Sequence, residues 1–159
     1  MEDGLEARVL AQLIAAEQTV ATAESATGGD IAARLARIAG SSRALTGGVV
    51  VYTAQTKQRL LGLDPALIEE HGVVGTGIAK ALASAVVEAA GSDWGIAVTG
   101  VAGPGTVDEL PVGYTAWALA HIDGTIEVDD RVFDGDRVAV ITQLGTAALT
   151  QLSRRLGDG

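Results

Sequence analysis

The sequence predicts an α/β fold in which a mixed sheet lies between two layers of helices, a three-layer α/β/α sandwich. Strand-like runs alternate with helix-like runs along most of the chain. The run Val49-Val50-Val51 is apolar on both faces of a strand, as in a sheet that helices cover on both sides. Further on, Asp123-Gly124 separates two apolar runs and predicts an antiparallel hairpin. We expect a single domain over residues 1–159.

Most of the predicted helices carry apolar side chains at steps of three and four residues along one face. They are expected at residues 3–17, 30–38, 55–61, 65–71, 77–90 and 138–156. Asp64 and Pro65 suit the N-cap and the first position of the fourth helix. Gly145 lies inside the last helix, where a glycine costs about 1 kcal/mol relative to alanine, so we expect another helix to pack closely there.

The predicted strands are apolar runs next to glycines and turn-forming residues. They are expected at residues 18–24, 46–53, 94–99, 112–121 and 125–133. The β-branched run at residues 46–53 is typical of a central strand. Sheets of this kind bind ligands where strands end and loops lead into helices, so a site is expected at these junctions.

The composition excludes several classes of function. The chain has a formal net charge of −9 and no run rich in lysine and arginine, so nucleic acid is not an expected partner. It has no cysteine, which excludes a thiol nucleophile, a disulfide framework and a thiolate metal site. No apolar stretch has membrane-spanning length, and the acidic start lacks the pattern of a signal peptide. We therefore expect a cytoplasmic protein with no membrane partner.

The most informative segment, Ala23-Glu24-Ser25-Ala26-Thr27-Gly28-Gly29, joins a predicted strand to a predicted helix. It places the Ser25 hydroxyl at a strand end and two glycines at a helix start, where unpaired N–H groups attract anions. Ser25 is then a nucleophile or a ligand contact. The alternative is a hydroxyl that only caps the helix, with Thr27 competing for the same cap. Glu24 either orients a proton acceptor or is solvated.

Other junctions carry further candidate side chains. Lys57 follows Tyr52 by five residues, and a lysine whose pKa is lowered by burial can activate a serine while a tyrosine relays the proton. The alternative for Lys57 is an ordinary surface lysine, which is the commoner arrangement. Arg137 either clamps a phosphate or carboxylate at a helix start or pairs with a neighbouring aspartate. Ser41 and Ser42 either contribute a hydroxyl to the pocket or form the turn after a helix.

Two familiar kinds of site are not supported. The glycine segments at residues 27–29 and 100–105 lack the sequence of a phosphate-binding loop of nucleotide hydrolases. His71 and His121 lie 50 residues apart without the spacing of paired metal ligands, so no zinc site is expected. We expect neither a metal nor a cofactor.

Taken together, these segments resemble the C-terminal domain of the CinA (competence/damage-inducible) family, the nicotinamide-nucleotide amidase family. The matching pieces occur in order over roughly residues 5–156, at residues 23–29, 40–42, 47–52, 57, 61–62, 71–74, 98–104, 111–113 and 135–137. One piece alone is weak evidence, but the ordered set is specific.

The resemblance implies an amidase that hydrolyses the carboxamide of nicotinamide mononucleotide (NMN) to nicotinic acid mononucleotide and ammonia. It implies a small nucleotide as the substrate and no metal. The family's functional positions fall on Ser25, Ser42, Tyr52, Lys57 and Arg137, with Thr99, Gly100 and Gly103 lining the pocket. Either serine can be the nucleophile, and we favour Ser25 because it lies next to a helix start, with Lys57 and Tyr52 moving protons. Thr27, Gly28 and Gly29 complete the expected binding residues, with backbone N–H groups near the glycines holding the oxyanion or the phosphate.

The chain departs from the family pattern near the expected pocket. Ala26 replaces a frequent cysteine, Thr53-Ala54 replaces a common Ser-Asn pair, and the loop at residues 105–110 is shorter and lacks a lysine. Residues 75–77 replace the usual serine and acidic start of the next helix. The alternatives are therefore a family member that binds a nucleotide-like ligand or a protein partner without turnover, or one that hydrolyses another small amide. We also expect the stand-alone form of the domain and a homo-oligomer.

Overall fold

The computed structural model describes residues 4–157 and confirms an α/β fold. Its helices are α1 (Leu5–Ala15), α2 (Asp30–Ala36), α3 (Ala54–Leu61), α4 (Pro65–His71), α5 (Thr76–Ala90) and α6 (Arg137–Gly157). Its strands are β1 (Val20–Glu24), β2 (Leu45–Val50), β3 (Trp94–Gly100), β4 (Tyr114–His121) and β5 (Ile126–Val132). A 3-10 helix covers Ser41–Arg43 between α2 and β2. Every predicted element is present with ends that differ by a few residues, although the predicted start of α1 at residue 3 lies outside the described residues.

The strands form one mixed sheet in the order β2-β1-β3-β4-β5. Strand β1 runs parallel to β2 and β3, whereas β4 is antiparallel to both of its neighbours. The carboxyl ends of β1, β2 and β3 therefore meet at the same end of the sheet. The prediction of a central strand at residues 46–53 is wrong, because β2 ends at Val50 and lies at an edge. An apolar run indicates that helices cover a strand, but it carries no information on the order of the strands.

Helices cover both faces of the sheet and complete the three layers. On one face, α1, α2 and α6 pack against large side chains of the sheet, including Trp94, Ile96 and Trp117. On the other face, α3, α4 and α5 pack against small ones, including Ala97 and Ala118. No helix within residues 4–157 has both the length and the apolar character to cross a membrane.

Gly95 on β3 lies directly against α5, and we expect Gly95→Ala to destabilise the protein by about 1–3 kcal/mol through overpacking. A Cβ atom at residue 95 would lie 2.4 Å from the Ala83 carbonyl oxygen of α5. Gly47→Ala on β2 is the matched control, because a Cβ atom there has no neighbour within 4 Å. Urea unfolding measures both variants, and equal midpoints would contradict the close approach of α5.

The predicted close helix contact at Gly145 is confirmed. A Cβ atom there would lie 2.8 Å from Nη1 of Arg34 and 3.4 Å from the Ile31 side chain, both on α2. This contact fixes α6 against α2. It thereby positions Arg137, the first residue of α6, near the carboxyl ends of the parallel strands.

Candidate active site

A cavity of about 360 Å³ lies at the carboxyl ends of the parallel strands. Segments after β1, β2 and β3 and the first turn of α6 form its walls. It is lined by Ser25, Ala26, Tyr52, Lys57, Val73, Val74, Gly100, Val101, Ala102, Gly103, Gly105, Thr106, Val107 and Arg137. Open α/β sheets bind their ligands at this position.

Ser25 and Lys57 meet in this cavity although they are 32 residues apart in the sequence. Ser25 directly follows β1. Lys57 lies in the first half of α3, and a capping box formed by Thr53 and Thr56 stabilises the N-terminus of that helix. The Lys57 Nζ atom lies 3.3 Å from the Ser25 Oγ atom. It also donates a 2.8 Å hydrogen bond to the Val51 carbonyl oxygen. The amine is therefore held in place beside the hydroxyl.

Burial changes the acid–base chemistry of Lys57. Its side chain is 1% exposed, so the structure does not support the surface-lysine alternative. Desolvation disfavours the ammonium form and lowers the pKa of Lys57 from 10.5 to about 8. Within residues 4–157 no carboxylate pairs with this amine to restore its charge. Neutral lysine, which can accept a proton, is therefore accessible near neutral pH.

Glu24 is buried and has a structural role that neither sequence interpretation described. Its side chain is 1% exposed and is not solvated. The carboxylate accepts hydrogen bonds from the Ile31 and Ala32 N–H groups and from the Thr22 and Thr27 hydroxyls. It neutralises the N-terminus of α2, where unpaired N–H groups and the helix dipole favour a negative charge. The Glu24 carboxylate therefore binds the N–H groups at the start of α2 that an external anion would otherwise bind. It also ties the end of β1 to α2, so Ser25 lies on a firmly held junction.

The backbone near Ser25 offers some of the unpaired donors expected near the two glycines. The Ser25 N–H donates to the Val98 carbonyl oxygen and the Gly28 N–H to the Ser25 carbonyl oxygen, at 3.1 and 3.0 Å. The N–H groups of Ala26, Thr27 and Gly29 donate no hydrogen bond to any residue of the described part of the chain. Of these three residues, Ala26 lines the cavity.

Arg137 connects two walls of the cavity. Its guanidinium donates one 2.6 Å hydrogen bond to the Tyr52 hydroxyl and another to the Gly103 carbonyl oxygen. It does not pair with a neighbouring aspartate, because the Asp136 carboxylate instead accepts from the Ala139 N–H and caps α6. The charge of Arg137 is thus available to an anionic group at the cavity mouth.

Three of the predicted binding residues lie in the turn before α2 and outside the cavity lining. Gly28 and Gly29 adopt φ angles of 59° and 102°, which favour glycine. The Thr27 hydroxyl donates to Glu24 at 2.7 Å. These residues shape the junction that carries Ser25.

Two more predicted residues also lie outside the lining. Thr99 is fully buried, and its hydroxyl donates a 2.8 Å hydrogen bond to the Val73 carbonyl oxygen, so it holds the wall formed by residues 73–74. Ser42 is exposed in the 3-10 helix that precedes β2. Within one chain it lies at the opposite end of the sheet from Ser25, because β1 and β2 are parallel.

Sequence reasoning missed the apolar wall of the cavity. Val73 and Val74 follow α4, and Val101 and Ala102 follow β3. Both pairs fall within segments that match the family pattern. These four side chains are apolar, and a search for chemically reactive side chains does not select them. They give the cavity the mixture of apolar surface and few polar groups that is usual in small-molecule sites.

The cavity lining is positively charged in an acidic protein. It includes Lys57 and Arg137 and no carboxylate, whereas the chain has a net charge of −9. This arrangement favours a ligand that carries a negative charge. Within residues 4–157 no three His, Asp or Glu side chains lie close enough together to hold a metal ion.

Comparison with known proteins identifies the family of this chain. The family model "CinA C-terminal domain" matches residues 2–156. A CinA-like protein of Parasynechococcus marenigrum is 40% identical over 98% of this chain and 38% of its own length. One of Mycobacterium marinum is 39% identical over 99% of this chain and 37% of its length. This chain therefore spans less than two fifths of these curated relatives.

Solved structures of the same superfamily share the fold over nearly their whole length. A CinA superfamily protein from Klebsiella pneumoniae has a TM-score of 0.93 and 32% identity, covering 98% of this chain and 97% of that one. A competence/damage-inducible protein from Agrobacterium tumefaciens has a TM-score of 0.90 and 32% identity, covering 96% and 93%. The family model, the curated relatives and the shared fold together show that the chain belongs to the CinA C-terminal domain family.

Proposed function

We propose that this chain is an amidase that hydrolyses the carboxamide of NMN to nicotinic acid mononucleotide and ammonia. The observation that carries the proposal is the buried Lys57 amine, 3.3 Å from the Ser25 hydroxyl, in a cavity that Arg137 also lines. The volume of about 360 Å³ falls in the usual range for small-molecule sites, about 300–1,000 Å³.

The first half of the reaction acylates Ser25. Neutral Lys57 accepts the Ser25 hydroxyl proton while the Oγ atom attacks the carboxamide carbon. The tetrahedral intermediate collapses, the C–N bond breaks, and the lysine ammonium returns a proton to the leaving nitrogen. The products of this half are ammonia, an ester of Ser25 and a neutral Lys57.

The second half hydrolyses the ester. Lys57 accepts a proton from water while the water oxygen attacks the ester carbon, and it then returns a proton to the Ser25 oxygen. Nicotinic acid mononucleotide leaves, and both side chains regain their starting states. The N–H group of Ala26, which lines the cavity, supplies an oxyanion donor, whereas the Gly28 N–H is already bonded to the Ser25 carbonyl oxygen.

The two ends of the substrate match the two ends of the cavity. The phosphate binds at Arg137, which Tyr52 and the Gly103 carbonyl hold across the mouth. The carboxamide then extends toward Ser25 between the apolar walls. The pyridinium ring of NMN carries a positive charge, which favours neutral Lys57 over the ammonium form.

A panel of amides tests the proposal. We expect purified protein to release ammonia from NMN and to act at least about tenfold less efficiently on nicotinamide riboside, which lacks the phosphate that a charge-assisted hydrogen bond would hold. Arg137→Ala should remove most of this preference, whereas Arg59→Ala, an exposed arginine on α3, should retain it. Tight NMN binding without ammonia release would instead support a non-catalytic family member, and release from other amides only would indicate a different substrate.

The rate should rise with pH around the pKa of Lys57. Since that pKa is about 8, about a tenth of the amine is neutral at pH 7 and about nine tenths at pH 9. The general base must be neutral, so kcat/KM should increase nearly tenfold per pH unit below 8 and level off above it. Steady-state assays between about pH 6.5 and 9 measure this profile, and a flat or falling profile would contradict a lysine base.

A further inference from the structure

A second cavity, of about 410 Å³, lies between β5 and α6. Strand β5 forms one wall, α6 forms the other, and the buried Trp117 of β4 lies at the floor. None of its lining residues belongs to the lining of the candidate active site. We call this cavity the β5–α6 groove, and the proposed amidase mechanism makes no use of it.

The two walls of the β5–α6 groove are largely polar. Alternate residues of a strand point to the same face, so Asp129 and Arg131 of β5 line the groove together. Across from them, polar side chains recur at steps of three and four residues along one face of α6, at residues 143, 146, 150 and 154. A strand and a helix that only packed together would carry apolar side chains on these faces. The groove is therefore suited to a polar ligand.

A flat surface of fixed orientation lies inside the groove. The rings of Trp117 and Phe133 are stacked, with their centroids 6.2 Å apart and their planes at 21°. The Trp117 Nε1 atom donates a 2.5 Å hydrogen bond to the Gln151 side chain of α6, which fixes the indole. The Arg131 guanidinium lies over the Phe133 ring, 5.8 Å from its centroid. Aromatic rings and guanidinium groups both stack with flat heterocycles, so this corner of the groove suits a nucleobase.

Two arginines give the groove its positive charge. Arg131 on β5 and Arg154 on α6 form no ion pair with a carboxylate within residues 4–157. The neighbouring Arg155, which is outside the lining, instead pairs with Glu127 at 3.0 Å. Asp129 is the only carboxylate of the lining, so two positive charges face one negative charge in a chain with a net charge of −9. This balance and the fork geometry of guanidinium groups favour a phosphate.

We propose that the β5–α6 groove is a second ligand site, which binds a nucleoside monophosphate. The base stacks beside Phe133 and Arg131, the phosphate binds Arg154, and the Asp129 carboxylate accepts hydrogen bonds from the ribose hydroxyls. A free phosphate would leave the aromatic corner empty, and an uncharged nucleoside would leave Arg154 without a partner. The volume of about 410 Å³ falls in the usual range for small-molecule sites, about 300–1,000 Å³. Binding at this site does not depend on the proposed amidase activity.

Isothermal titration calorimetry with adenosine monophosphate (AMP) tests the proposal on the full chain. The protein should bind AMP saturably. It should bind adenosine and ribose 5-phosphate at least about tenfold more weakly, because each lacks one of the two anchoring groups. Arg154→Ala should weaken AMP binding by a similar factor, whereas Arg59→Ala, which removes an exposed arginine on α3, should not. Absence of saturable AMP binding, equal binding of ribose 5-phosphate, or equal affinities of these two variants would overturn the proposal.

Further variants locate the bound AMP. Thr150→Phe places a ring in the groove from the α6 wall and should abolish binding, while Arg137→Ala at the candidate active site should leave the affinity within about twofold. In a Trp94→Phe protein Trp117 is the only tryptophan, and AMP should change its fluorescence with the dissociation constant that calorimetry gives. Circular dichroism checks that each variant is folded. AMP binding that is lost in Arg137→Ala but retained in Arg154→Ala, or that leaves Trp117 fluorescence unchanged, would refute the groove as the site.

Discussion

Lys57→Met should slow ammonia release from NMN by about a thousandfold, the usual contribution of a positioned general base. The variant keeps a long, flexible side chain in the buried space but removes the amine that lies 3.3 Å from Ser25 Oγ. It also leaves the Val51 carbonyl oxygen without its 2.8 Å hydrogen bond. The measurement is kcat/KM for NMN at a pH above 8, where the base is neutral in the parent protein.

The chain provides its own control for this substitution. Lys80 is the only other lysine, and it is exposed on α5. Lys80→Met should leave the rate within about twofold, as expected for a surface substitution distant from the cavity. Circular dichroism and thermal unfolding separate loss of chemistry from loss of fold. A folded Lys57→Met protein that keeps more than about a tenth of the parent activity would contradict the role of the amine.

Ser25→Ala should reduce the rate to a similar or greater extent, because no other hydroxyl within residues 4–157 forms a hydrogen bond with the Lys57 amine. Groups that act as a unit are strongly non-additive, so the Ser25→Ala/Lys57→Met double variant should be no slower than the slower single variant.

Ser42→Ala is the comparison that decides between the two candidate serines. Ser42 is exposed at the far end of β2 within its own chain. Its loss should have a much smaller effect than loss of Ser25, because within its own chain it lies at the opposite end of the sheet from Lys57. Abolished activity in Ser42→Ala, with activity retained in Ser25→Ala, would reverse the assignment of the nucleophile.

The elements of the fold could be predicted from local patterns. Apolar periodicity locates most of the helices, and Asp123-Gly124 marks the hairpin. The order of strands depends on contacts between distant parts of the chain, and local periodicity does not contain it. For that reason the β-branched run at residues 46–53 predicts a central strand, whereas β2 lies at an edge of the sheet.

Sequence alone predicts which segments form the site, but it does not predict the orientation of each side chain in them. Strand ends at the same end of a parallel sheet converge, so Ser25, Tyr52 and Lys57 were expected together, and all three line the cavity. The orientation of a buried polar side chain depends on partners that the sequence does not reveal. Thr99 therefore holds the Val73 carbonyl instead of lining the cavity, and the Glu24 carboxylate holds the start of α2 from inside.

The most direct test of the proposed amidase is a quantitative analysis of the products formed from NMN by the purified full chain. Chromatography and an ammonia assay should find one nicotinic acid mononucleotide and one ammonia for each NMN consumed, and neither product with Lys57→Met. Free nicotinamide with ribose phosphate would show cleavage of the glycosidic bond instead of the amide. That result, or unchanged NMN in the presence of folded protein that binds it, would contradict the assignment of this cavity as an amidase site.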